Sequence, residues 1–453
     1  MDSMPAIGQL STAQKICVGL ILLLGAYLRF AAVAGTVVDH PFRSDAATYY
    51  KTAYNLNVYG VYSHIINENG GQESAPQPDA FVTPGYPLFL SLFIDTPPKP
   101  QVFLQVALWQ ACMGAVTLLL VFGLFRHIGG FGIGAAAMLL TAISPHQVNT
   151  VVFMVTETWF TLLLILSLVV FALHLGDPRR FLPCLLAAGL LFGIATLTRP
   201  VLEFFPLVLV ALLFITHPRR QAFKGSVLLL AGFLAAWLPW LVRNEISTGR
   251  TSDPTVMVTT LASGMYPDFE YDHNPASLAL PYKFDPHFAE ITKSMGSTLT
   301  EIGRRFREDT VEETEWYLVG KPVMLWSWEV IEGGWDAYVY PVKRGAPYET
   351  NGVFRLTHAI AYPLHWPLVI LAFLTSIYVW LPSAKQRLHG AVLVAARSVS
   401  LLLFYNTAVL MVLAPFVRYS IPFLPLIFGM GALGALLAFQ WLRPHYKPLK
   451  AKV

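Results

Sequence analysis

Long apolar runs, broken by short polar stretches, dominate this chain and set the first picture of it. A helix needs roughly 20 apolar residues to cross about 30 Å of hydrocarbon, and somewhat fewer where its polar ends reach the headgroups. That ruler predicts ten membrane helices, at about 16–35, 101–125, 130–147, 150–174, 181–198, 200–216, 225–243, 358–381, 391–414 and 419–441. The third, fifth and sixth are bounded by Ser144-Pro145 and Arg199-Pro200, where a turn is favoured over continuation.

Two long stretches, Thr36 to Pro100 and Asn244 to Thr357, are too polar to span. Within the first, Gly85 to Phe93 is apolar but short, which suits a helix lying along the interface. The second carries a charged stretch from Gly296 to Leu318 that reads as helical, then an aromatic-rich piece from Trp326 to Tyr340. Tryptophan and tyrosine favour the headgroup level, so this piece is expected there. Neither a repeat of 20 to 50 residues nor a low-complexity tract interrupts the pattern.

Composition sharpens the class. With 55% hydrophobic and 13% charged residues, the chain is far from the roughly 25% charge of soluble domains, and it reads as an all-α polytopic membrane protein. The formal charge of +4 arises from Lys and Arg clusters between apolar runs rather than from one basic face, which speaks against nucleic-acid binding. Those clusters give orientation instead. With the N-terminus inside, Arg126, Arg179-Arg180, Arg219-Arg220, Lys224, Lys385, Arg387 and the tail Arg443, Lys447, Lys450 and Lys452 all become cytoplasmic. Both long polar segments then lie outside, dividing the chain into a catalytic module at 1–245 that includes the outer loop 36–100, an outer segment at 246–357 and a C-terminal helical part at 358–453. The first run resembles a signal peptide, since Lys15 precedes it and Ala32-Val33-Ala34 mimics a cleavage site; Arg29 and the spans that follow favour a retained helix. Cys17, Cys112 and Cys184 all lie in apolar runs without metal-ligand spacing, so neither disulfides nor a cysteine metal site is expected.

Candidate chemistry gathers at the outer ends of the spans. Asp45, in Phe42-Arg43-Ser44-Asp45-Ala46, follows the first span; it reads either as a catalytic acid or as a solvated helix cap. Tyr49, Tyr50, Tyr54 and Tyr59 are sugar-stacking platforms or interfacial aromatics. Glu157, near the outer end of the fourth span, is costly unless it faces a cavity or a partner, and Glu203 has the same depth without a motif around it. Arg199, Arg243 and Arg418 also fall at outer ends, against the inside bias, and guanidinium suits a bidentate grip on phosphate. Snorkelling to lipid phosphates is the plain alternative. No helical spacing links His40, His64, His273, His287 and His358, so a zinc site is not expected, and no Walker or dinucleotide loop is present.

Taken in order, Arg29, Asp45, Asn55-Leu56, Gly60-Val61-Tyr62-Ser63, Thr83-Pro84-Gly85-Tyr86-Pro87-Leu88, Thr156-Glu157, Arg199-Pro200, Pro239 to Asn244 and Arg418 to Pro422 resemble the GT-C glycosyltransferases. The branch they resemble is the protein O-mannosyltransferase and aminoarabinose transferase group. The resemblance covers the first 245 residues and the Arg418 region, and the second outer segment loosely. It implies a polyprenyl-phosphate-linked sugar donor, a lipid, glycan or protein acceptor, and a reaction on the periplasmic face of a bacterial inner membrane. Carried onto this chain, Asp45 is the base of an inverting attack and Glu157 a second acid. Arg199, Arg243 and Arg418, with Arg29 as helper, would hold the donor phosphate, while Tyr49, Tyr50 and Tyr86 line the substrate pocket. Ala46 departs from the Asp-Glu pair of the protein mannosyltransferases, which weakens a protein acceptor more than it weakens the chemistry.

The physics fits: a departing phosphate needs positive charge more than an acid, so arginines opposite one base suffice, without a cofactor and with no metal favoured. The rivals are a lipid or glycan transporter or flippase, for which repeated halves with broken midplane helices would be expected, and a lipid-linked glycan polymerase or ligase of similar architecture.

Overall fold

The computed structural model describes residues 10–65, 75–94, 101–173, 175, 177, 179–334 and 336–442. The basic tail from Arg443 onward therefore lies outside the described residues. The first span, α1 (Thr12–Gly35), starts at a capping box in which the Ser11 hydroxyl accepts from the Gln14 amide and the Gln14 side chain accepts from the Ser11 amide. In the first outer segment, α2 (Ser44–Tyr59) and the short α3 (Gly85–Ser91) follow. Leu88 and Leu92 stay exposed on α3 while Tyr86 and Leu90 are buried, the two-sided character expected of an interfacial helix.

The helix α4 (Val102–Ile143) holds the second and third expected spans in one run, broken by Gly130 at φ 81° and ψ −177°. That conformation is open to glycine and strained for other residues, so the chain reverses there. A short α5 (Pro145–Asn149) and a 3-10 turn at Thr150–Val152 follow. Only then does α6 (Glu157–Leu173) begin, seven residues later than the apolar run predicted. The sequence explains the delay: Ser144-Pro145 stops one helix, and the carboxylate of Glu157 suits the positive end of the next.

The next three helices, α7 (Phe181–Thr198), α8 (Phe205–Thr216) and α9 (Arg219–Thr248), complete the N-terminal bundle. The α7 and α9 backbones touch: a Cβ at Gly189 would lie 1.9 Å from the Leu229 carbonyl, and one at Gly232 would lie 2.1 Å from that of Leu186. Such small-residue contacts let helices associate where lipid offers no hydrophobic drive.

The second outer segment holds α10 (Thr255–Ser263), α11 (Phe288–Ile291), α12 (Met295–Glu308), α13 (Thr310–Glu315) and α14 (Lys321–Leu325), and α12, α13 and the π turn Trp316–Gly320 replace the single charged helix expected over 296–318. Asp309 makes the break, since its side chain accepts from the Glu312 amide and starts a new helix. Trp326 and Trp328 are buried inside the protein, 2% and 6% exposed. Their indole N–H groups have partners inside, the Thr407 hydroxyl and Asp336.

The last spans are α15 (Gly352–Tyr378), α16 (Gly390–Val412) and α17 (Leu424–Leu442). Among the described residues, seven helices are long and apolar enough to cross a membrane, one of them the broken α4, and α6 and α8 are shorter apolar helices. Counted with α4 as two, they reproduce the ten expected runs.

One local device ties the two outer segments together. A two-stranded antiparallel ribbon pairs β1 (Val37–Val38) with β2 (Val342–Arg344), and Arg344 donates to the Gly35 carbonyl at 2.8 Å. Beneath it, Ala46 and Ala53 of α2, Tyr86 and Leu90 of α3, Val155, Val330, Val339 and Ile421 share one apolar cluster. The start of α2 is thereby fixed against residues some 300 positions later in the chain.

Candidate active site

Asp45 lies in the first turn of α2, where unpaired helical amides favour negative charge. Its Oδ2 accepts from Nη2 of Arg418, which stands in the short turn Val417–Tyr419 before α17. The Asp45 side chain is 41% exposed and that of Arg418 13%, so the acid faces water and the arginine backs it from within.

Glu157 and Arg199 form a second pair at 3.1 Å, and their side chains are 3% and 14% exposed. Glu157 opens α6 and Arg199 closes α7, so each charge meets the helix end that suits it. The pair is not saturated, because Glu157 Oε2 is buried without a hydrogen-bond partner. Tyr419 links both pairs: its ring centre is 4.7 Å from the Arg199 guanidinium carbon and 5.3 Å from that of Arg418.

Tyr49 is one turn along α2 from Asp45, and its ring packs edge-on to Tyr86 at 5.3 Å. Burial raises the Tyr49 phenol well above its ordinary value, with the charges of Asp45 and Glu157 adding to the effect. Tyr86 is raised by burial and then by Glu157, and its hydroxyl donates to Gln110 at 2.9 Å. The structure therefore brings Asp45, Glu157, Arg199, Arg418, Tyr49 and Tyr86 together. Tyr50 packs instead against Phe42 and Tyr54.

Two predicted arginines are used elsewhere. Arg29, 1% exposed, donates to the carbonyls of Gly25 at 3.0 Å, Thr141 at 3.2 Å and Ala142 at 3.3 Å, closing the C-terminal end of α4. Arg243 donates to the carbonyls of Asp79 at 2.5 Å and Tyr62 at 3.0 Å, with its guanidinium between the rings of Tyr62 and Trp240. It braces the first outer loop, whose folding centre is Asp79: that carboxylate accepts from the His64 amide and ring, the Ser63 hydroxyl and the Phe81 amide.

Three residues escaped the sequence reading, and all come from the second outer segment. Tyr340 accepts from Arg418 Nη1 at 3.4 Å through its hydroxyl. Both carboxylate oxygens of Glu332 are buried without a hydrogen-bond partner. Burial raises its carboxyl, offset by the charge of Arg418 and reinforced by Glu157 and Asp45. Tyr282 is raised by burial and feels the charges of Arg418 and Asp45. The short Glu332-Gly333-Gly334 run was the one local signal, an acid set on a tight turn. Among the described residues, no group of three His, Cys, Asp or Glu side chains converges as a metal site.

An exposed acid beside an arginine and a second, buried acid–arginine pair, ringed by tyrosines at a membrane lip, can take a proton and hold an anion side by side. The fold carrying them is that of the GT-C glycosyltransferases, and the chain is an integral membrane protein. Residues 82–242 match the family model described as dolichyl-phosphate-mannose-protein mannosyltransferase. No curated protein matches the chain.

Among solved structures, the archaeal oligosaccharyltransferase AglB from Archaeoglobus fulgidus, in complex with an inhibitory peptide and a dolichol-phosphate, is similar at TM-score 0.53 and 14% identity, over 98% of this chain and 52% of that one. The same oligosaccharyltransferase tethered to an acceptor peptide containing the NVT sequon gives TM-score 0.54 and 14% identity, over 96% and 51%. ArnT from Cupriavidus metallidurans bound to undecaprenyl phosphate gives 0.42 and 14%, over 96% and 80%. This chain thus spans about half the length of the archaeal enzyme.

Proposed function

We propose that this protein is a membrane glycosyltransferase that moves a sugar from a polyprenyl-phosphate donor to an acceptor hydroxyl on the outer, periplasmic face of a bacterial inner membrane. The observation that carries the reading is the direct pairing of Asp45 with Arg418 beside the Glu157–Arg199 pair. An isoprenoid tail explains why such a site stands at the lip of a bundle, since the tail can stay in lipid while the sugar enters water.

In this reading the acceptor oxygen attacks the anomeric carbon while the bond from that carbon to the phosphate oxygen breaks, inverting the centre. The acceptor proton passes to Asp45, and the negative charge leaves on the lipid phosphate. Asp45 suits the role because it is the more exposed acid of the two. Arg418 and Arg199 suit the phosphate because a guanidinium held by a carboxylate is set for bidentate anion contact. As phosphate draws Arg418 toward itself, Asp45 loses its counter-charge and becomes a stronger base. The buried, unsaturated Glu157 holds Arg199 and accepts from an acceptor or sugar hydroxyl, and Tyr49 and Tyr86 form the floor. Arg29 and Arg243 hold the scaffold.

The test is transfer from a radiolabelled polyprenyl-phosphate sugar by the purified protein. Parent activity with loss in Asp45→Asn is the expected result. Equal turnover by Asp45→Asn would remove the base assignment, and no transfer with any lipid-phosphate sugar would remove the reading.

A further inference from the structure

Along the helical run from α13 through the π turn Trp316–Gly320 to α14, the usual distribution of side chains is turned inside out. Glu313 and Lys321 are buried, at 4% and 0% exposure, while Val311, Leu318, Val319 and Val323 are each 50% exposed or more. The spacing of those four sets them along one side of a helix. Val311, Leu318 and Val319 also line a single open depression, so they share one surface. A surface facing water would present the acid and the amine and hide the apolar stripe.

The inner side of the run is tied down. Trp316 donates through its indole to the Gly264 carbonyl at 3.0 Å, and the Lys321 Nζ donates to the Leu413 carbonyl at 3.2 Å while lying 3.4 Å from the centre of the Tyr317 ring. A rotation that hid the stripe would break these contacts and leave their polar groups unpaired.

Hydrogen bonds to the spans fix how deep the run lies. The carbonyls that receive Lys321 belong to Val412 and Leu413, where α16 ends. Further on, Trp326 is held between two spans: its indole donates to Thr407 of α16, and its carbonyl accepts from His365 of α15 at 2.8 Å. Thr407 stands about 8 Å back from the end of α16, at 1.5 Å per residue. The run therefore descends from exposed Asp309 to the level of the last turns of a membrane span, with its apolar side turned away from the protein. The neighbouring α16 exposes Phe404 and Val412 as well.

We propose that Leu318, Val319 and Val323 are seated among the acyl chains of the outer leaflet, with Val311 and Glu315 at the headgroup level. Backbone in lipid must bond within itself, and this run is helical throughout. Charged side chains at that depth must face protein, as Glu313 and Lys321 do. On its inner side α14 packs against the turn Val417–Tyr419, so the seat holds the Arg418 turn at the level of the lipid. That this presents a lipid-borne phosphate to Arg418 rests on the transferase reading; the seating itself does not.

The experiment places a polarity-sensitive fluorophore on single cysteines of the full chain, in a background of Cys17→Ala, Cys112→Ala and Cys184→Ala, reconstituted in vesicles of phosphatidylcholine and phosphatidylglycerol. Leu318→Cys and Val323→Cys are compared with Glu290→Cys, whose parent side chain is 84% exposed on α11. Phosphatidylcholine carrying a nitroxide high on its acyl chain should quench the first two about twofold or more over Glu290→Cys, and aqueous iodide should do the reverse. If Val323→Cys fails to fold, Val319→Cys takes its place. Iodide quenching equal to that of Glu290→Cys would make the stripe a water face, and shielding from both quenchers would mean that a second copy or another protein covers it; either overturns the proposal. Quenching by the labelled lipid should persist when undecaprenyl phosphate is added, and its displacement would give the face to an isoprenoid tail and overturn the proposal too. The measurement needs no turnover, so failure of the transferase reading leaves its outcome untouched.

Discussion

Four arginines at the ends of membrane helices looked alike in the sequence, and the structure divides them by the oxygen each one meets. Arg199 and Arg418 face carboxylates, whereas Arg29 and Arg243 face backbone carbonyls. The distinction is chemical. A carbonyl in a helix end or loop cannot leave without undoing the fold, so Arg29 and Arg243 are committed. A carboxylate can share its guanidinium with a second anion, so in the proposed reading Arg199 and Arg418 can also meet a phosphate.

The largest effects should therefore fall on the pair held by carboxylates. Asp45→Asn keeps the size of the side chain but removes the base, and a general base contributes about 10²- to 10⁴-fold. We expect transfer to fall by that factor at saturating donor, with some loss of thermal stability because Arg418, 13% exposed, loses its carboxylate. Arg418→Lys should keep the charge but lose the fork, raising the apparent KM for donor more than it lowers kcat. A fall in kcat alone would move Arg418 from donor binding to the transition state.

The second prediction inverts the readout. Arg199→Met leaves Glu157 buried and unpaired, which costs about 3–5 kcal/mol, so this variant should unfold at visibly lower temperature. Adding Glu157→Gln should restore most of the loss, because the uncompensated charge goes. If the double variant is as unstable as the single one, the pair is not the source of the penalty. Transfer should stay low in both, since the phosphate partner is missing.

For the committed arginines the expected loss is one of stability. Arg29→Met frees the Thr141 and Ala142 carbonyls near the end of α4 and that of Gly25 on α1, and should cost on the order of 3 kcal/mol. Arg243→Met should loosen the first outer loop, read as faster amide exchange at Tyr62 and Asp79. The fraction that folds should transfer sugar within about tenfold of the parent. A pure donor-KM defect in a fully stable Arg243→Met would break the division drawn here.

What the sequence made legible follows the same line. Apolar run length predicted the spans, because bilayer thickness is a one-dimensional constraint that a sequence can display. It misplaced the start of α6, since Val151 to Val155 are apolar yet lie in a 3-10 turn and bends before the helix begins. Asp45, Glu157, Arg199 and Arg418 were visible because charge at a span end is anomalous. Their partners were not: what separates Arg243 from Arg418 is which loop reaches each guanidinium. Tyr340 stands next to the ribbon between Val37–Val38 and Val342–Arg344, a pairing with no local signature.

The smallest expected effect also bears on Arg418. Glu332 has a raised carboxyl, burial being the first cause, and the Arg418 charge works against the rise. An acid raised on folding holds its proton in the native state over a range where the unfolded chain, at about 4.3, has lost it. Stability should therefore fall as pH rises from that ordinary value through the raised one, and be flat above it. Glu332→Gln should abolish this slope, matching the parent at acid pH and exceeding it modestly at pH 8. If Arg418 is exchangeable, removing its present partner gives a further sign: in Asp45→Asn the guanidinium is released toward Glu332, so the raised carboxyl should fall and the slope should shrink. A slope that survives Asp45→Asn at full size would mean that Arg418 is as fixed as Arg29.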